Sequence, residues 1–113
     1  MPNRPLIVAA NGTWVVRAGG AVIGESSRAI EVIEPDLPGV IYFPREDLGM
    51  AFLERSETTG ASRALGPARY FGIVTASGLI PDVAWSYETP PDEAERIAGL
   101  IAFDARQVAV EEV

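Results

Sequence analysis

The sequence holds no cysteine and no histidine, and all nine of its basic residues are arginine, so lysine is missing as well. Each absence removes a class of chemistry. Without thiol or imidazole there is no disulfide, no cysteine nucleophile, no histidine general base and no zinc site built from nitrogen and sulfur ligands. Without lysine there is no Schiff base, no phosphate-binding loop ending in Lys-Ser or Lys-Thr, and no lysine and glutamate pair of the protein-kinase kind. Long hydrophobic runs are absent too. The apolar stretch Leu6 to Ala10 is too short for the h-region of a signal peptide, and nothing approaches the roughly 20 apolar residues of a membrane helix. The expectation is a cytoplasmic protein with no membrane partner, no metal and no cofactor.

What is present suits one small globular domain: 113 residues, 48% of them hydrophobic and 22% charged. The domain is expected to span residues 1–113, with residues 1–12 as an N-terminal extension. A net charge of −7 repels phosphate backbones, so nucleic acid is not an expected partner. A local pair of arginines can still hold one anion through bidentate hydrogen bonds.

The patterning is that of a mainly β protein of antiparallel sheets with one or two short helices. Thr13 to Ala18 reads as a strand, Gly19-Gly20 as a tight turn, and Ala21 to Glu25 as the returning arm of a hairpin. Arg28 to Glu34 and Val40 to Phe43 read as further strands around the loop of Pro35, Pro38 and Gly39. Pro44 and the acids behind it open a short helix that Gly49 stops, and Ala51 to Arg55 is expected to be extended. Ser56 to Gly66 lacks periodicity and reads as a long irregular loop, of the kind that includes lids. Pro67 to Val74 and Leu79 to Trp85 form the next hairpin, in which Pro81 marks an edge or a bulge. Asp92 to Ala98 predicts two helical turns with an Asp92 and Arg96 pair and with Ala94, Ile97 and Ala98 facing inward. Leu100 to Phe103 and Gln107 to Glu111 then predict a last hairpin.

Two segments concentrate functional side chains. Tyr42 to Asp47 joins an aromatic strand end to a helix start carrying Arg45, Glu46 and Asp47. Ala84 to Pro90 holds Trp85 and Tyr87, two apart and therefore on one face of an extended chain. Each has a structural reading as well: ion pairing and capping for the first, core packing for the second. Trp14, alone on its strand, is expected in the core. Any proton carrier must be Asp, Glu or Tyr, and a buried glutamate with a raised pKa, such as Glu34 or Glu88, would be its signature. Ser62 lacks the base a serine nucleophile needs. A glycine turn with paired acids, Gly19-Gly20 followed by Glu31 and Glu34, fails as a metal or nucleotidyl-transfer site, because side chains three apart on a strand point to opposite faces.

Together, Glu25 and Ser26 ahead of Arg28 and Ala29, Tyr42 to Leu48 reading YFPREDL, Ala84 to Pro90 reading AWSYETP, and Ile97 to Phe103 reading IAGLIAF resemble domain-of-unknown-function family 427. The likeness runs from about Trp14 to Val110. It implies an uncharacterised bacterial family of bent antiparallel sheets, of the β-tent or Mss4-like kind, in which two sheets lean together over a groove. The family label is sometimes worded as a nucleotidyltransferase, which the residues here do not support. Members commonly carry a Cys and a Lys where this chain has Ser62 and Leu65, so an activity resting on either group is not implied here.

The expected function is binding of a small molecule, with an anionic group as one option, in a groove between the sheets. Its candidate residues are Tyr42, Trp85 and Tyr87 as walls, Arg28 or Arg45 to hold the anion, and Glu34 or Asp47 to orient it. The alternatives are a carboxylate-dependent enzyme acting on a small polar substrate in the same groove, and an interaction module or homo-oligomer without a small ligand.

Overall fold

In a computed structural model, which describes residues 4–113, Gly19 and Gly20 take φ of 56° and 81° and close the expected hairpin. Positive φ at both positions is what a primed turn needs and what glycine supplies without steric cost. The arms are β2 (Trp14–Ala18) and β3 (Ala21–Ser26), and β10 (Ala109–Glu112) pairs antiparallel with β2 to complete a three-stranded sheet. The other described strands are β1 (Leu6–Ala9), β4 (Ile30–Ile33), β5 (Val40–Phe43), β6 (Leu53–Ser62), β7 (Gly66–Thr75), β8 (Gly78–Tyr87) and β9 (Ile101–Phe103). They form a seven-stranded antiparallel sheet in the order β1-β4-β5-β9-β8-β7-β6. The chain is therefore mainly β, two antiparallel sheets with short helical turns.

Strict alternation in the middle strands gives the large sheet two apolar faces. Ile41 and Phe43 of β5, Ile101 and Phe103 of β9, and Phe71 and Ile73 of β7 face the small sheet and meet Val16, Ala18 and Ile23 in the main core. Phe43 and Phe103 pack edge to face there, with ring centroids 5.8 Å apart. The intervening residues Tyr42 and Ala102 face outward, where Val32, Leu65, Ala94 and Ile97 form a second cluster.

Several elements differ from expectation. Leu6–Ala9, placed by sequence in an extension, is β1 at the edge of the large sheet, held by four residue pairs with β4. Ser56 to Gly66 is not a loop: β6 continues to Ser62, with an irregularity in pairing between Arg55 and Thr59, and only residues 63–65 form a turn. As an edge strand facing mostly solvent, β6 has no apolar period to betray it. The helices are 3-10 turns at Arg45–Asp47, Met50–Phe52 and Asp92–Ile97, and the second takes residues expected to be extended. In the third, Ala94 and Ile97 are buried but Ala98 is exposed, and Arg96 donates to the Ile7 carbonyl at 3.1 Å rather than pairing with Asp92. The last hairpin does not form. Asp104 accepts backbone hydrogen bonds from Gln107 and Val108, and the turn sends β10 across to β2 instead of back along β9.

Pro81 does mark a bulge. The β7–β8 hairpin pairs Thr75 with Gly78 and Ile73 with Ile80, then resumes at Phe71 and Ala84, so β8 carries two extra residues. Asp82, in the bulge, has φ of 53°. A second irregularity in β6, between Arg55 and Thr59, lies against it, and the Thr58 hydroxyl donates to the Asp82 carboxylate at 2.8 Å.

Candidate functional site

Register places four residues of adjacent strands in one outward-facing row. Tyr42 is opposite Ala102, Ala102 opposite Trp85, and Trp85 opposite Tyr70. Because Ala102 carries only a methyl group, Trp85 reaches across it and donates its indole N–H to the Tyr42 hydroxyl at 3.2 Å. Tyr70 leans on Trp85 and Tyr87 on Tyr42, each pair with centroids 6.4 Å apart and tilted rings. These four rings line a groove of about 360 Å³ whose other walls are Glu34, Val40, Asp82, Asp104 and Arg106.

The groove has its opening where two strands part. β5 pairs with β9 only through Tyr42 and Phe43, so Val40 and Ile41 have no partner on that side. A second cleft of about 260 Å³ adjoins there, sharing Val40, Trp85, Asp104 and Arg106 and reaching Val110 of the small sheet. The aromatic wall is thus the outer face of the large sheet, not a space enclosed by the two sheets as expected. The inner space is filled by the main core.

The seven expected site residues separate into three groups. Glu34, Tyr42, Trp85 and Tyr87 line the groove. Arg28 and Asp47 form an ion pair elsewhere, 3.0 Å between Nη2 and Oδ1, and buried Ser26 donates to the other Asp47 oxygen at 2.6 Å. Those bonds, the serine's first, hold the Asp47 carboxyl below its usual range. Arg45 forms the third group. Its Nε donates to the Gly99 carbonyl at 2.7 Å, its Nη2 to the hydroxyl of fully buried Ser86 at 3.3 Å and to Glu88, and its guanidinium lies 5.6 Å from the centre of the Phe71 ring. Ser86 donates to Glu88 at 2.7 Å and lowers that carboxyl's pKa, helped by Arg45. Arg28, Arg45 and Asp47 therefore do not reach the groove. They join strand ends to the Arg45–Asp47 turn, a structural role that charge-assisted hydrogen bonds serve well.

Five lining residues were not singled out by sequence: Val40, Tyr70, Asp82, Asp104 and Arg106. The Asp104, Ala105, Arg106 turn was the available signal for two of them. Arg106 is the cation on the groove wall, and it is committed: Nε and Nη2 bind the two Asp104 oxygens at 3.1 and 3.2 Å. Glu31, the other acid of the rejected pair, lies over Gly39 and not beside Glu34. Trp14 is half-buried against the main core and donates to the Asn11 carbonyl at 3.1 Å.

Burial pushes the Tyr42 phenol well up, and does the same to Tyr87, where the Ser62 hydroxyl pulls the other way. Both rings stay protonated and act as neutral hydrogen-bonding walls. The carboxyls whose titration is displaced, Asp47, Asp82, Glu88 and Asp104, all move down. That is the direction of permanently ionised groups, opposite to the raised acid that proton-transfer catalysis would use.

Arg106 and Gln107 side chains, with the Arg106 backbone N–H, lower Asp104 from 3.8 to about 2. The unfolded chain then takes up this proton first as pH falls, so the stabilisation is complete above about pH 4 and is lost toward pH 2. Asp104→Asn should flatten the acid limb of a plot of urea midpoint against pH, and an unchanged limb would count against these contacts.

Ser62 and Leu65, the positions at which the resemblance implies a Cys and a Lys in relatives, have local explanations. The Ser62 hydroxyl accepts the backbone N–H groups of Ala64 and Leu65, both at 3.2 Å, and shapes the β6–β7 turn. Leu65 is 1% exposed and belongs to the outer apolar cluster.

A small two-sheet β domain with an aromatic groove on its larger sheet is the class these features define. The chain matches the family described as domain of unknown function (DUF427) over residues 6–113, and it belongs to that family. No curated protein matches it. Two of the segments that carry the family likeness, Tyr42 to Leu48 and Ala84 to Pro90, touch in the fold, through Tyr42 with Trp85 and through Arg45 with Ser86 and Glu88. Among the described residues no helix is long and apolar enough to cross a membrane.

Proposed function

We propose that the domain binds a small organic molecule in the groove walled by Tyr42, Tyr70, Trp85 and Tyr87. The observation that carries this reading is the alignment of Tyr42, Trp85 and Tyr70 in one cross-strand row beside a concave space rimmed by charged groups. Concave sites with aromatic walls and a few convergent polar groups are where small ligands bind. The rings sit on paired strands and the Trp85–Tyr42 hydrogen bond fixes two of them, so little conformational freedom is lost on binding. Retention of Arg28, Arg45 and Asp47 in structural ion pairs leaves recognition to the rings and to Glu34, Asp82, Asp104 and Arg106.

A thermal-shift screen against a metabolite library tests the reading. A ligand at about one hundred times its Kd adds about 2.7 kcal/mol of stability, which raises the Tm of a domain this small by roughly 10 °C or more. Tyr87→Ala, at a half-buried position on the groove wall, should remove most of that shift while the free protein keeps its β signature in circular dichroism. Ligands whose shifts are indifferent to Tyr87→Ala would place binding elsewhere and defeat the proposal.

A further inference from the structure

The walls of the groove specify the sign of its ligand. Three carboxylates, Glu34, Asp82 and Asp104, face it with a single guanidinium, Arg106. Asp104 pairs with that guanidinium through both oxygens, so an anion approaching the remaining N–H groups of Arg106 also meets the Asp104 carboxylate, and the groove's other charged walls, Glu34 and Asp82, are acids as well. Asp82 keeps its charge under the hydroxyls of Ser56 and Thr58. Glu34, half-buried at the end of β4, has no cationic partner among the described residues. The remaining walls are Val40 and four aromatic rings, whose faces carry negative quadrupole density and attract cations. The chain as a whole carries a net charge of −7, which draws cations toward the surface.

From this convergence of four aromatic rings with an unneutralised carboxylate we infer that the groove takes an organic ammonium ion, its alkylated nitrogen against the faces of Trp85, Tyr87 and Tyr70 and its charge toward Glu34. This rests on the reading of the groove as a small-molecule site and sharpens it. A compact hydrated metal cation is poorly served, because among the described residues the acids do not gather into a cluster that could hold a metal ion, and a divalent ion needs six or more oxygen ligands. An alkylammonium gives up its weak hydration at small cost and gains both apolar burial and attraction to the rings. The groove's volume of about 360 Å³ suits a trimethylammonium headgroup with a short tail.

The test is a titration of the full chain, followed by the NMR signals of the Trp85 indole N–H and the Tyr70 and Tyr87 rings. The probes are choline, its uncharged carbon isostere 3,3-dimethylbutan-1-ol, and pivalate as an anion of similar shape. Choline should bind saturably, at least about tenfold more tightly than the isostere, and pivalate should not compete. Glu34→Gln should weaken choline about five- to tenfold and leave the isostere unchanged, and raised salt should weaken choline alone. Equal binding of choline and the isostere, or tighter binding of pivalate, overturns the cation assignment while leaving the groove as a small-molecule site. Saturable choline binding that moves none of these three residues overturns the placement. No binding of choline at all overturns the inference, and the metabolite screen with Tyr87→Ala then decides separately whether the groove binds anything.

Discussion

Gly24→Ala is expected to cost about 3 kcal/mol, at the upper end for an overpacking substitution, and to lower Tm by more than about 10 °C. Gly24 lies in β3 where the small sheet meets the turn that follows β5. It bridges to Leu48, and the N–H of Gly49 donates to the Ile23 carbonyl at 2.7 Å. A Cβ on Gly24 would stand 2.6 Å from the Asp47 carbonyl oxygen, 3.0 Å from the Leu48 Cα and 2.5 Å from the Leu48 Cδ2. Two of those atoms are backbone and cannot swing aside, so relief requires the sheets to separate at this seam. Separation would also disturb the Ser26–Asp47–Arg28 contacts a few residues away. The check is a urea unfolding curve beside that of Val22→Ala, a substitution on an exposed position of the same strand that should cost less than about 0.5 kcal/mol. A Gly24→Ala protein as stable as Val22→Ala would show that the seam is looser than this packing requires.

The reach of sequence reasoning in this protein follows residue spacing. Trp85 and Tyr87 share a face because they are two apart on a strand, and Tyr42 joins them because β5 and β8 flank the same short strand. Local alternation carries that information. Tyr70 was hidden by register. A hairpin that closed regularly on the Ala76–Ser77 turn would set Tyr70 against Val83, and only the two extra residues around Pro81 and Asp82 bring it opposite Trp85. Pro81 announces a bulge, but its size depends on Asp82 holding a positive φ against the Thr58 hydroxyl, a contact made by a strand that shows no periodicity of its own. Because the shift is an even number, the aromatic face survives it and only the pairing changes.

Charge was the harder problem. Arg28 and Arg45 sit in segments rich in site-like residues, and their sequence neighbours give no sign that Asp47 and Glu88 bind them. Long-range ion pairing is a tertiary event, and so was the destination of β10, which Asp104 sends to the other sheet. That same turn supplies the Asp104–Arg106 pair on the groove wall. One local device thus ends β9, opens the notch between β5 and β8, and pairs with a carboxylate the one arginine that lines it among the described residues.

Ala102→Leu is expected to have the largest effect on the groove, abolishing ligand binding and costing about 2 to 6 kcal/mol in stability. Ala102 is fully buried between Tyr42 and Trp85, and its outer neighbours Val32, Leu65, Ala94 and Ile97 close the space above it. Three added carbons have no free volume to enter except the path of the Trp85–Tyr42 hydrogen bond. Overpacking accounts for about 1 to 3 kcal/mol, and a buried Tyr42 hydroxyl left without its donor for about another 1 to 3. Displaced from the row, Trp85 should lose its fixed environment, seen as a collapsed near-ultraviolet dichroism band and a red-shifted emission. Ala102→Gly separates packing from position: it removes a methyl group without filling the path, so it should cost about 1 kcal/mol, leave the indole N–H shift in place and preserve binding. An Ala102→Leu protein with an unmoved Trp85 indole signal would mean that the rings are not held by the small residue between them, and the groove would then owe its shape to the Tyr70 and Tyr87 contacts alone.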